Sequence, residues 1–359
     1  MLGVLGNWYK RKFSDPNALM LLLLIIFSCA ILYLFGGILM PVIVAIVIAY
    51  LLDVPVTKFE TMGVRRSLAT SFTLIVFLFV CFVISVALVP IISQQSVNLI
   101  REIPVIWESA QVWLNTLPEK YPNVVEVSYI QSMMSGVNER VMTIGEQVLS
   151  ASVSSLGNLA ALLIYIILVP LMVFFMLSDK RLFMQSISAI LPNERLLITQ
   201  VGEEMNLQIA NYIRGKVIEI VIVGAVTCVA FSILDLRFAI LLGVFVGFSV
   251  LIPYIGAAVV TIPVAIVALF QFGFSADFGY VMLVYFIIQA LDGNLLVPLL
   301  FSEAVSLHPL YIIVAVLLFG GLWGFWGVFF AIPLATLVKA LISAWSTPKK
   351  PGQNESAAV

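Results

Sequence analysis

Long apolar runs separated by short charged stretches dominate this chain, and most runs approach the roughly 20 residues a helix needs to cross a hydrocarbon core of about 30 Å. Such runs cover 18–35, 38–52, 68–92, 153–177, 216–234 and 279–301. Two further apolar blocks, 238–272 and 310–342, have the wrong length. At 1.5 Å per residue they reach about 52 and about 50 Å, too short for two crossings and too long for one. Helix-breaking residues interrupt each, Pro253-Tyr254-Ile255-Gly256 in the first and Gly320-Gly321-Leu322-Trp323-Gly324 in the second. A hairpin that enters and turns back fits both. Irregular backbone at membrane depth is tolerated only where protein or a wet cavity satisfies its peptide groups, so both breaks are candidate sites. The pattern predicts an all-α polytopic integral membrane protein of about eight membrane segments, two of them interrupted (re-entrant or broken-helix) hairpins.

A polar insert at 93–152 separates the third run from the fourth. Its apolar positions Ile130, Met134, Val137, Val141, Ile144, Val148 and Ala151 alternate spacings of four and three, the seam of a helix that packs on a partner helix. Val97, Ile100, Trp107, Ala110, Leu114 and Leu117 share a face in the same way. This helical extramembrane insert either contacts a subunit or partner, or its two helices pack on each other. Residues 193–216 place Leu197, Val201, Met205, Gln208 and Tyr212 on one face, a helix lying at the membrane surface or against the bundle. The expected organisation is therefore N-terminal spans (1–92), insert (93–152), fourth span (153–177), amphipathic cytoplasmic segment (178–216), C-terminal transport core (217–345) and a disordered cytoplasmic tail (346–359).

Composition agrees with the pattern: 10% of residues are charged, against about 25% in soluble domains. Lys10, Arg11 and Lys12 precede a first run too long for a signal-peptide core, so that run is read as retained. Cys29, Cys81 and Cys228 all fall in apolar segments and form neither a disulfide set nor a metal set. Charge distribution sets the expected sidedness. The N-terminus, 53–67, 178–216 and the C-terminus hold fourteen of the eighteen Lys and Arg residues, whereas the insert has three against six acidic ones. Excess positive charge marks the cytoplasmic side, which puts both termini inside and the insert outside. Counting crossings from there, the two hairpins open to opposite sides and point at each other. Paired interrupted segments of opposite orientation indicate a transporter site near the midplane. A weak internal likeness supports the pairing: "LLGVFVG" and "LLFGGLWG" precede the breaks, and Pro263 and Pro333 follow them. The Gly243/Gly247 and Gly320/Gly324 spacings also permit close helix contact.

Ionisable groups inside membrane segments are costly, so they are functional candidates. Asp292 leads: it lies between the hairpins, with Gln289 before it, Asn294 after it and Pro298 loosening the helix beyond. A carboxylate with amide oxygens suits a hard cation or a proton relay, the alternative being a structural Asp bonded to a neighbouring helix. Pro253, Tyr254 and Gly256 join these three as substrate- or ion-binding candidates, and Gly320, Gly321, Gly324, Gly327, Pro298 and Pro333 are hinge candidates. Glu219, near Arg214 and Lys216, reads as half of an interfacial ion pair, and Asp235, Asp277 and Glu303 read as solvated span ends. His308 before Pro309 reads as a helix-entry residue that would also titrate between pH 5 and 8, a pH-sensing role. No catalytic triad, HExxH or phosphate loop appears, and no enzyme or cofactor is expected.

Four ordered stretches, "IPYIG" (252–256), "DGNLLVPLL" (292–300), "LHPLYIIV" (307–314) and "GGLWGFWGVFFAIPLA" (320–335), resemble the signatures of the autoinducer-2 exporter family of membrane permeases. "FFMLSD" (174–179) and "NYIRGK" (211–216) also fit, and the whole chain looks most like the PerM-type branch. The resemblance implies a multi-pass prokaryotic inner-membrane protein, a homo-oligomer with elevator-like organisation, whose relatives are named for autoinducer-2 export or reported as Na+/H+ antiporters. Where many members are expected to carry Glu before Gly-Asn, this chain has Asp292, one methylene shorter. The function expected is a secondary transporter exporting a small polar solute or exchanging cations, coupled to Na+ or H+. Its partners would be lipid, solute or cation and further copies of itself, with no nucleic acid. A non-transporting scaffold or a passive channel working through the insert is the alternative. If the 130–151 seam joins subunits, Val141→Asp and Val148→Asp bury unpaired charge there and should shift the oligomer to smaller species in mild detergent. An unchanged mass assigns the seam to packing within one chain.

Overall fold

The computed structural model describes residues 16–120, 159–190, 196–301 and 307–346, and every regular element among them is helical. The 130–151 seam and the tail beyond 346 lie outside those residues. Six helical stretches among the described residues are long and apolar enough to cross a membrane, so this is a multi-pass membrane protein.

The first difference from the sequence pattern is at the N-terminus. The runs 18–35 and 38–52 are not two helices but one, α1 (Pro16–Thr61), with Gly36, Gly37 and Pro41 all inside it. No turn is made there because the flanking residues are apolar all round, and a turn in hydrocarbon would strand peptide groups that the helix satisfies internally. Its mate α2 (Arg66–Lys120) carries the third run straight on into the insert. At 55 residues, about 82 Å, it is far longer than a bilayer core. Next come α3 (Leu159–Ser178) and the short α4 (Lys180–Ile190). α1, α2 and α3 share one apolar cluster around Ala45, Val56, Ala69, Val169 and Val173.

A charged cluster closes one end of these three helices. Arg66 holds Glu60 at 2.6 Å and Asp53 at 3.3 Å while its Nε donates to the Leu177 carbonyl. Lys180 and Arg181 then reach across to Asp53 and Glu60, at 2.8 and 2.7 Å. The segment expected as a helix at the membrane surface or against the bundle forms the first half of α5 (Leu196–Ile233), the helix that continues into the fifth run. Met205 and Tyr212 from the predicted face are buried against the bundle, and the Tyr50 hydroxyl donates to Asn206 at 2.7 Å. So α5 begins near the charged end and runs away from it.

Its far end meets the arm of α2. Glu102 pairs with Arg237 at 3.2 Å, and Gln95 accepts the Leu241 N–H at 2.9 Å. From that point the chain turns back along α5 as α6 (Ala239–Ser249), only 11 residues long. The register is antiparallel: Gly243 lies on Cys228, Gly247 on Gly224 and the Ile220 carbonyl, and Val250 reaches Lys216. A Cβ at 247 would fall 2.8 Å from the Gly224 Cα, so the glycine spacing noted in the sequence serves close helix packing. After a turn at 250–254 the chain returns as α7 (Ile255–Phe272). Gln271 at its end accepts the Arg237 N–H and donates to the Asp235 carbonyl, both at 2.6 Å. Both legs of this hairpin therefore open at one end, and its tip points back toward the other.

α8 (Ala276–Leu291), a five-residue π turn (Asp292–Leu296) and α9 (Val297–Phe301) follow, then α10 (Pro309–Phe329) and α11 (Ala331–Ser346). α10 breaks at Gly324, whose φ of 59° and ψ of −135° lie outside the helical region. The chain doubles back there, bringing Gly327 onto the Phe319 carbonyl. The first tip uses the same device, with Gly256 on the Ser249 carbonyl two residues after Tyr254 at φ 63°. At each tip, backbone fits where a side chain cannot.

Gly256→Ala and Gly327→Ala should each destabilise the protein by about 1–3 kcal/mol or more, because the added methyl meets backbone that cannot swing aside. Gly321→Ala, with open space at its Cβ, should be neutral or slightly stabilising. Thermal unfolding of the three purified variants checks the ordering.

Candidate functional site

On α5, Tyr212, Gly215, Lys216 and Glu219 recur at three- and four-residue spacing and so share one face. The sequence pattern suggested an interfacial ion pair here; the structure buries it. Lys216 Nζ lies 2.7 Å from Glu219 Oε2, with side chains 5% and 2% exposed. The ammonium also donates to the Val250 carbonyl at 2.9 Å and stands 5.2 Å from the Phe301 ring centroid, a cation–π distance. Gly215 makes room for that ring, since a Cβ there would fall 2.6 Å from it. Tyr212, one turn earlier, packs on Phe301 and Phe329 at centroid distances of 5.8 and 6.0 Å. Leu251 of the first tip shares a cluster with Phe329 and Ala331, with Phe319 and Trp326 packed against it. Both tips therefore converge on the 212–219 segment of α5.

The π turn brings in the predicted carboxylate. Its Val297 N–H bonds to the Asp292 carbonyl five residues back instead of four. Pro298 explains the widening, because it has no N–H for the residue 294 carbonyl and its ring would clash with that carbonyl in an α-helix. Such bulges recur at functional sites. The turn packs against α5, and Lys216 acts electrostatically on Asp292. Asp292 Oδ1 and Gln289 Nε2, one turn apart, are buried with no hydrogen-bond partner among the described residues, as are Tyr212 Oη and Trp323 Nε1. Buried polar atoms are normally satisfied, so unpartnered ones call for water, an ion or a ligand.

The other sequence candidates fall in different places. Asn294 is exposed and its amide donates to the Ala290 carbonyl at 2.8 Å, so it does not extend the Gln289–Asp292 pair. Tyr254 is 59% exposed, Pro253 is half-buried, and the tip atom that reaches α5 is the Val250 carbonyl instead. Of the hinge candidates, Gly324 makes the break, Gly320 and Gly327 line its close approach, Gly321 and Pro298 are exposed, and Pro333 is buried at the start of α11. His308 caps α10, its Nδ1 accepting the Leu310 N–H at 3.2 Å. Sequence reasoning undervalued Lys216. The signal was there, a Gly215-Lys216 step with Glu219 one turn on, on the face that carries Tyr212.

The AI-2E family transporter profile matches residues 21–347. The chain belongs to that family. It is 50% identical over 345 residues to "Putative permease PerM" of Escherichia coli (strain K12), covering 96% of this chain and 98% of the relative. More distant members include "Putative transport protein YueF" of Bacillus subtilis (strain 168), 25% identical over 84% of this chain and 82% of its own. Another, from Synechocystis, is 24% identical over 94% of this chain and 88% of its own.

Removing one partner of a buried ion pair strands the other, so Glu219→Gln should cost about 3–5 kcal/mol of stability. The double variant Lys216→Met/Glu219→Gln should recover most of that. A double-mutant cycle on thermal or denaturant unfolding measures the coupling, and additive losses would mean that the two groups do not act as a pair.

Proposed function

We propose that this AI-2E family protein is a secondary transporter of the prokaryotic inner membrane that exports a small polar solute, of the autoinducer-2 kind, or exchanges cations. Solute or ion is held between the two hairpin tips. The observation that carries this reading is the convergence of both helix breaks on one segment of α5, beside the half-buried Asp292, whose Oδ1 is buried without a hydrogen-bond partner among the described residues. The permease and transport names of the relatives support the reaction class.

The charged end formed by Arg66, Lys180 and Arg181 is the cytoplasmic one by the positive-inside rule. The α6–α7 hairpin then enters from outside, and α10–α11 enters from the cytoplasm. Movement of either tip off α5 would open the centre to one side at a time, the alternating access that paired interrupted helices allow. Asp292 has the part of ion or hydroxyl acceptor. An ionised carboxylate with an unsatisfied buried oxygen is a poor resting state, and a proton, a cation or a solute hydroxyl would each complete it. Gln289 Nε2, one turn before, supplies a donor to the same solute.

Reconstitution into liposomes tests this. Asp292→Asn preserves size and removes charge, so its flux should lose dependence on pH or Na+ while insertion and assembly persist. Asp292→Glu should retain partial activity. Wild-type flux and ion dependence in the Asn variant would make Asp292 structural and favour a passive channel.

A further inference from the structure

Lys216 occupies a position built like a cation site. Its ammonium is held by a carboxylate oxygen of Glu219 at 2.7 Å, a backbone carbonyl of Val250 at 2.9 Å and the face of Phe301. Carboxylate and carbonyl oxygens are the ligands of hard cations, and unwound backbone at a hairpin is where transporters present them to Na+. Val250 is the residue at the end of α6, so its carbonyl also carries the negative end of that helix dipole. Asp292, on an element packed against α5, adds a second carboxylate within the field of Lys216, and its Oδ1 is buried without a partner. One carboxylate and a helix C-terminus thus hold the ammonium directly, and a second carboxylate lies within its field. The neighbouring Arg214 is directed elsewhere, its Nε donating to the Tyr50 carbonyl at 3.4 Å.

We infer that the junction of α5 and the first hairpin tip is a monovalent-cation site whose resident cation is the chain's own Lys216. Wild-type protein therefore takes no Na+ at Glu219, and loss of the ammonium alone opens the position to Na+ or Li+. The inference rests on the same junction as the transport reading and narrows it: with this site filled from within, coupling by Na+ at Glu219 is unavailable to the wild-type chain. The position suits a small cation better than a large one, because the Phe301 ring stands over it, packed on the Cα of Gly215 and against Tyr212.

The test is a binding measurement on full-length protein in detergent. Thermal unfolding is followed in NaCl, LiCl, KCl and choline chloride at constant ionic strength. The wild type should show no Na+ or Li+ response that depends on Glu219. Lys216→Met should unfold lower in choline and rise by roughly 2–6 °C as Na+ replaces choline from 1 to 100 mM, the response of a state stabilised by a bound ion. Lys216→Met/Glu219→Gln, neutral at both positions, should be folded and indifferent to the cation. Three results would overturn the inference: a folded Lys216→Met with no specific response to Na+ or Li+; a wild-type Na+ response that Glu219→Gln abolishes; or a Lys216→Met that cannot be purified even in Na+ when the double variant can. Liposome flux of the wild type is read separately. Its absence would remove the transport reading and leave the ion-binding pattern standing, whereas an ion-blind Lys216→Met beside an active wild type removes only the tethered cation.

Discussion

A peptide group left without its hydrogen bond in hydrocarbon costs several kcal/mol, and much of this architecture follows from where the chain breaks its helices and what then covers the break. At Gly36 and Gly37 of α1 no described residue lies close enough to cover a break, and the helix persists through both glycines and Pro41. At the first tip, the Val250 carbonyl is exposed by the end of α6 and is met by the Lys216 ammonium. At the π turn, the Val297 N–H keeps a partner by reaching one residue further back. Each interruption is matched to a specific donor, acceptor or close glycine contact.

α5 is the element through which these local solutions combine. Its far half receives α6 through a seam of small residues, Gly224 and Cys228 against Gly247 and Gly243. Its near half carries the polar face at 212–219 and the aromatic contacts with α9 and α10. The tight glycine packing above fixes the depth to which the first tip descends, and that depth brings Val250 level with Lys216. A scaffold of α1, α2 and α3 stands beside this core with its own apolar cluster. Polar contacts tie scaffold to core at both ends, Tyr50 to Asn206 at one and Glu102 to Arg237 at the other. Such exposed or half-exposed ties are weak individually.

The buried Lys216–Glu219 pair is poor as a device for stability, since the desolvation of two ions offsets most of their attraction. Its position argues for a different role. It stands where two helix breaks meet, and one of its members bonds to the backbone of a break, so the pair is linked to the tip conformation. A change in charge at this point is therefore a change in how firmly the first tip is held.

Much of this protein was legible in the sequence because the relevant rules are local. Helix content, the two odd-length blocks and the presence of a break in each follow from hydropathy and from Gly and Pro stereochemistry, although the breaks fall at 250–254 and at Gly324, earlier or narrower than the 253–256 and 320–324 expected. The Gly243/Gly247 spacing likewise announced a close helix contact. What the sequence could not contain was the partner. Nothing local says that Gly243 lies on Cys228 or that Val250 comes level with Lys216, and without that register Glu219 reads as an ordinary surface pair. Asn294, two residues from Asp292, looked like a co-ligand, but the π turn directs it to the Ala290 carbonyl. The first two apolar runs looked separable because glycine permits a turn, whereas the surrounding apolar residues give that turn no hydrogen-bonding partner. Backbone preferences act over about five residues and can be read along the chain. The identity of the groups that meet across a helix interface depends on an antiparallel packing register, and only the tertiary structure decides it.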